Sequence, residues 1–173
     1  MSEVKVLELF FYLLPAVVTG SVAYYFFSRH IKNEADKRQF LLKREAQKEV
    51  LSLRLQAYER MALFLERINL SKLIIRVAPD SPDKSDYETL LIQHIETEFE
   101  HNLVQQLYIS DACWAVIKTA KNAAIQLIRK TSMSDKIAHA DNLRTAILNN
   151  VLDRPDPSDV ALRYIKKEIR ELF

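Results

Sequence analysis

The stretch LELFFYLLPAVVTGSVAYYFFSRH, residues 7–30, decides how the rest of the chain is read. No charged side chain stands between Glu8 and Arg29. Residues 9–28 form one uncharged run of twenty positions. At about 1.5 Å rise per residue that run makes about 30 Å of helix, the thickness of a bilayer's hydrocarbon core. Tyr12 near one end, and Tyr24 and Tyr25 near the other, put amphipathic rings where the interface would lie. Pro15 falls inside the run, which a membrane helix tolerates. Only Lys5 precedes the run, whereas Arg29, Lys32, Lys37, Arg38, Lys43, Arg44 and Lys48 follow it. Basic residues stay on the cytoplasmic side.

The sequence therefore predicts an extracytoplasmic N-terminus over residues 1–8 and a transmembrane helix over 9–28. A polar, basic stalk over 29–39 and a cytoplasmic helical bundle over 40–173 follow. Two other readings compete. A cleaved signal peptide would use the small-x-small triplet Ser21-Val22-Ala23. Against it stand Glu3 and Glu8 in the leader, the apolar run through Phe27, and the basic segment behind it. A buried helix of a soluble protein is the third reading. Within the span, Ala16, Gly20 and Ala23 share one helix face, and small residues at that spacing let two membrane helices approach closely. Arg29, Lys32, Lys37 and Arg38 are the basic side chains best placed to meet anionic lipid headgroups.

Composition supports an all-α chain. Of 173 residues, one is glycine and five are proline. All-β folds and phosphate-cradling loops need glycine at turns and close approaches. A formal net charge of +2 makes no case for a nucleic-acid partner. The single cysteine, Cys113, excludes an internal disulfide framework, and its place beside Trp114 in an apolar run predicts a buried, inert thiol.

Neither glycine nor proline occurs from Ser21 to Ala78, so the first helix can run on unbroken into the cytoplasm. From Phe40 an apolar stripe develops, with Val50, Ala57 and Phe64 seven apart and Leu53, Met61 and Ile68 between them. That period of about 3.5 suits the core face of a bundle helix or an intermolecular coiled coil. The first break is APDSPDKSD, residues 78–86. Ser85 and Glu88 then have capping-box spacing, followed by an inward series Leu91, Ile95, Phe99, Leu103 and Leu107. Ser110 and Ser134 head two further helices, and Asp156 before Pro157 caps the last one. These elements predict a cytoplasmic bundle of about four helices after the long one.

Catalytic motifs are scarce. His94, Glu98 and His101 share one helix face, and Glu98-x-x-His101 has the form of half a di-iron bundle site. No second Glu-x-x-His accompanies it, and the face is turned away from the apolar stripe, so a polar surface is the leading reading and a metal-binding or enzymatic bundle the alternative. Ser81-x-x-Lys84 lies in a proline loop without the companion motifs of a serine–lysine enzyme. No cofactor is implied.

LQAYERMALFLERINLSKLIIRV, residues 55–77, is the most distinctive signature. With the apolar span and basic stalk before it, the chain resembles an uncharacterised bacterial family of small single-pass membrane proteins with a helical cytoplasmic part. The resemblance is closest over roughly the first 80 residues. It implies the inner (cytoplasmic) membrane as location and brings no activity, cofactor or site residue. Read directly, Tyr58 and Phe64 anchor the long helix. The pairs Glu59-Arg60 and Glu66-Arg67 offer charges to neighbouring helices or to a partner. The expectation is a membrane-anchored scaffold or adaptor without catalysis, contacting lipid and either a protein partner or further copies of itself. A lipid-surface sensor built on the stalk is a further alternative.

Overall fold

The computed structural model describes the backbone of residues 3–153 and 155–172, and their side chains except those of residues 3–12, 35 and 153. Among the described residues the protein is all-α. Six α-helices run in the order α1 (Glu3–Ile68), α2 (Leu70–Arg76), α3 (Lys84–His101), α4 (Asp111–Ser132), α5 (Ala140–Asp153) and α6 (Pro157–Arg170). A 3-10 helix, Leu103–Leu107, lies between α3 and α4. The chain divides into two compact units, Met1–Val50 and Leu51–Phe173.

The first unit is the N-terminal part of α1. Pro15 sits inside the helix without ending it. Thr19 Oγ1 donates back to the Pro15 carbonyl at 2.8 Å, four residues earlier on the helix. Large apolar side chains from Leu13 to Phe27 are exposed on every face of the helix. Among the described residues no helix is long and apolar enough to cross a membrane. Residues 9–12, which open the expected span, lie outside the described side chains, as does the expected N-terminal segment 1–8.

The second unit is a bundle. α4 packs on α3, α5 and α6, while α2 and α3 pack on α5. Its core is built from Ala57, Met61, Phe64 and Ile68 of α1, Leu91 and Ile95 of α3, Ile117 and Ile128 of α4, Leu143 and Ile147 of α5, and Ala161 and Ile165 of α6. The stripe expected from Phe40 onward is thus buried from Ala57, whereas Val50 and Leu53 are exposed.

Three boundaries differ from the sequence expectation. The long helix does not run unbroken to Ala78: it ends at Ile68, and Asn69 takes an extended ψ of 120° before α2 begins. The reason lies far along the chain. The Asp156 carboxylate accepts from Leu70 N at 2.8 Å through Oδ2 and from Ser158 N at 2.8 Å through Oδ1, so one buried side chain caps both α2 and α6. α3 is capped by Asp83 rather than Ser85, because Asp83 Oδ1 accepts from Ser85 N at 2.6 Å and Lys84 is already helical. α5 begins at Ala140 rather than at Ser134. Its first N–H, on Ala140, donates to the Pro82 carbonyl of the loop at 3.0 Å, and residues before it form turns that still bury Ile137. Ser110 caps α4 as expected, accepting from Cys113 N at 3.0 Å.

The expected inward series of α3 stops short. Leu91 and Ile95 are buried and Phe99 is partly buried, but α3 ends at His101, and the 3-10 helix leaves Leu103 and Leu107 exposed. Tyr87, absent from the expected series, is fully buried and donates its hydroxyl to the Val77 carbonyl at 2.9 Å.

Candidate interaction surfaces and a buried carboxylate

The candidate side chains fall into those already engaged by neighbouring helices and those left in solvent. Glu66 forms an ion pair with Lys72 of α2. Arg67 reaches Glu98 of α3, Nη1 lying 2.7 Å from Oε1 and 3.0 Å from Oε2. The Arg67 carbonyl also accepts from Arg76 at 3.1 Å. These charges join α1 to α2 and α3. Glu59 and Arg60, two turns earlier, are exposed.

The Arg67 pair bears directly on the histidine face. Glu98 is half-buried and engaged, while His94 and His101 are exposed. Among the described residues no group of three or more His, Cys, Asp or Glu side chains is placed to hold a metal ion. Beside this face, Phe99 stacks on Trp114 with ring centroids 5.2 Å apart and tilts against Phe64 at 5.7 Å. Lys121 Nζ stands 4.6 Å from the Phe99 centroid and 2.6 Å from Glu96. The α3 surface is thereby tied to α1 and α4.

Ala16, Gly20 and Ala23 are all exposed, and a methyl group added at Gly20 would meet nothing within 4 Å. Arg29, Lys32, Lys37 and Arg38 are exposed as well. Arg29 donates to the Tyr25 hydroxyl at 3.1 Å, and Lys37 lies 3.6 Å from Glu34.

Sequence reasoning missed the most elaborate polar cluster. The Tyr58 hydroxyl of α1 donates to Glu168 Oε1 of α6 at 2.7 Å. Arg54 donates to that hydroxyl at 3.4 Å and to the Tyr108 carbonyl at 3.2 Å. Glu168 Oε2 is buried and takes no hydrogen bond of normal geometry. The Ser110 hydroxyl and Cys113 thiol nevertheless lie close enough to stabilise the charge. Burial works to raise the Glu168 carboxyl, but hydrogen bonding from Tyr58, Ser110 and Cys113 outweighs it and holds the group below its ordinary value. Burial first, and the neighbouring carboxylate second, push both Tyr58 and Cys113 up to about 12. At neutral pH the cluster is one carboxylate held by protonated donors. Cys113 is buried, as its place in the apolar run predicts. The available signal was Glu168 itself, an acid three residues after Ile165 and four before Leu172, on the apolar face of α6.

A concavity of about 540 Å³ opens between α4 and α5, lined by Gln126, Lys130, Thr131, Ser134 and Asn150 among others. Among the described residues Lys130 is its only ionisable lining residue.

Among the described residues the protein is all-α, and Glu66, Arg67 and Glu98 join one helix to another while Glu59, Arg60, His94 and His101 are exposed. The chain belongs to DUF7935, a family of unknown function, which matches residues 4–172. No curated protein and no solved structure matches it.

Proposed function

We propose that the chain is a single-pass protein of a bacterial inner membrane that holds its helical bundle at the cytoplasmic face and presents it to a protein partner, without chemistry of its own. The observation that carries this reading is the surface of α1 from Leu13 to Phe27. Its large side chains are apolar all round and exposed. A helix of that kind is stable inside a protein core or in lipid. The described part of the expected span, residues 13–28, accounts for sixteen of its twenty positions. The seven basic residues behind it support a cytoplasmic bundle and contact with anionic headgroups.

Support for a binding role comes from how the bundle uses its polar groups. Glu66, Arg67, Glu98 and Glu168 hold helices together. Glu59 and Arg60 are exposed on the same helix and form the proposed partner contact. The test is to tag the C-terminus, crosslink in living cells, extract in mild detergent and identify what co-purifies. The expected result is a stoichiometric protein whose recovery falls when Glu59→Arg and Arg60→Glu are combined. Recovery unchanged by that reversal contradicts the assigned contact. The absence of any co-purifying protein, including further copies of the chain, contradicts the scaffold role.

A further inference from the structure

The exposed part of α1 carries a second regularity. Ile31, Leu42, Leu53 and Phe64 are spaced by eleven residues, as are Ala35, Ala46 and Ala57, and as are Val50 and Met61. Eleven residues make three turns at 3.67 per turn, close to a straight α-helix, so each series keeps to one face. In the bundle this face is consumed from Ala57 onward, since Ala57, Met61 and Phe64 are buried, while Leu53 is exposed. In the first unit it is not. Ile31 and Leu42 are each 65% exposed, Val50 is 54% exposed, and Ala46 is exposed.

The charges beside the face obey the same period. Lys32 and Lys43 lie eleven apart, and so do Glu34 and Glu45. At about 100° per residue the lysines sit about 100° to one side of the Ile31–Leu42 line and the glutamates about 60° to the other. One edge of the apolar face carries Lys32 and Lys43; the other carries Glu34 and Glu45, with Arg38 and Glu49 between those glutamates and the Ile31–Leu42 line, and is acidic on balance. When two identical helices pair in parallel about a two-fold axis, opposite edges meet. The lysines of one copy then face Glu34 and Glu45 of the other, offset by two residues, or about 3 Å along the axis. An antiparallel pair would set lysine against lysine and glutamate against glutamate.

We infer that α1 pairs in parallel with α1 of a second copy of this chain through the face of Ile31, Leu42, Ala46 and Val50, flanked by Lys32 and Lys43 on one edge and Glu34 and Glu45 on the other. The inference deepens the scaffold reading and rests on it in one respect: a membrane span would hold both copies the same way round. Counting back eleven from Ile31 reaches Gly20, with Ala16 and Ala23 about 40° and 60° from that line on the glutamate side, so small residues continue the face and would let the two helices approach closely within the span.

The test uses the full chain in its native membranes, with one cysteine added at a time. Cys113 is fully buried and stays silent. Leu42→Cys and Ala46→Cys lie on the face, and Arg44→Cys lies opposite; all three positions are exposed, so none disturbs the core. Mild oxidation is expected to give disulfide-linked dimers from the first two and little from the third. With Leu42→Cys in place, Lys32→Glu and Lys43→Glu together are expected to lower the yield about tenfold, and adding Glu34→Lys and Glu45→Lys to restore it. Equal yields at all three positions, no dimer from either face position, or a charge reversal without effect would each overturn the pairing. Retention of the unlinked chain in the membrane fraction is read separately in the same samples, so a failed pairing leaves the anchor reading standing.

Discussion

At the scale of single residues, the cost of a substitution depends on whether water can replace what is lost. Tyr58→Phe keeps the ring but removes the donor to Glu168 Oε1, leaving a buried carboxylate with one oxygen already unpartnered. The expected cost is about 2 kcal/mol, measured by urea unfolding of the full chain in detergent. Glu98→Ala breaks the ion pair with Arg67 at a wetter site and should cost under about 1 kcal/mol. The pH dependence follows from the same cluster. Glu168 is held below its ordinary value of 4.5, so its contribution is complete above that pH and is lost as pH falls further. Tyr58 and Cys113 are raised, so their contributions are complete below their ordinary values of 10.0 and 9.0 and are lost as pH climbs toward about 12. Melting curves across that range should show both arms, with the acid arm reduced in Glu168→Gln. An unchanged acid arm in that variant would remove Glu168 from the explanation. None of this was legible as chemistry in the sequence. Tyr58 could be read as an anchor from its place among apolar neighbours. Its partner stands 110 residues away, and no local pattern joins the two.

At the scale of elements, local signals placed two helix starts whose caps are satisfied locally, missed the Asp83 cap of α3 by two residues, and failed where a distant group intervened. Ser110 and Asp156 each accept from an N–H two or three residues on, and the sequence places both. The break at Asn69 was hidden because its cause, the second oxygen of Asp156, lies 86 residues beyond Leu70. Asn69 joins the same junction, with Nδ2 donating to Ser158 Oγ at 3.1 Å. Asp156→Ala removes the caps of two helices at once. It should destabilise the bundle by about 2 to 3 kcal/mol, roughly twice an ordinary capping loss. A loss no larger than one cap, in the same urea titration, would show that α2 does not depend on Asp156. The late start of α5 has a similar origin, since its first N–H is taken by Pro82 from another part of the chain.

At the scale of the whole molecule, the all-α class was readable from composition alone: one glycine, helix-forming side chains and helical periodicity throughout. Part of the bundle core was readable too: the stripe of the long helix is buried at Ala57, Met61, Phe64 and Ile68, and the α3 series at Leu91 and Ile95. The candidate sites were less so. Residue spacing grouped His94, Glu98 and His101, whereas tertiary contact grouped Glu98 with Arg67, two residues first assigned to different roles. The central claim is the anchor, since orientation, lipid contact and parallel pairing all depend on where residues 9–28 reside. The most direct measurement is alkaline carbonate extraction of membranes from cells carrying the full chain. The chain is expected to stay in the membrane pellet and to move into the wash when Val17→Arg and Val18→Arg are combined. Recovery of the unaltered chain in the wash would contradict the claim.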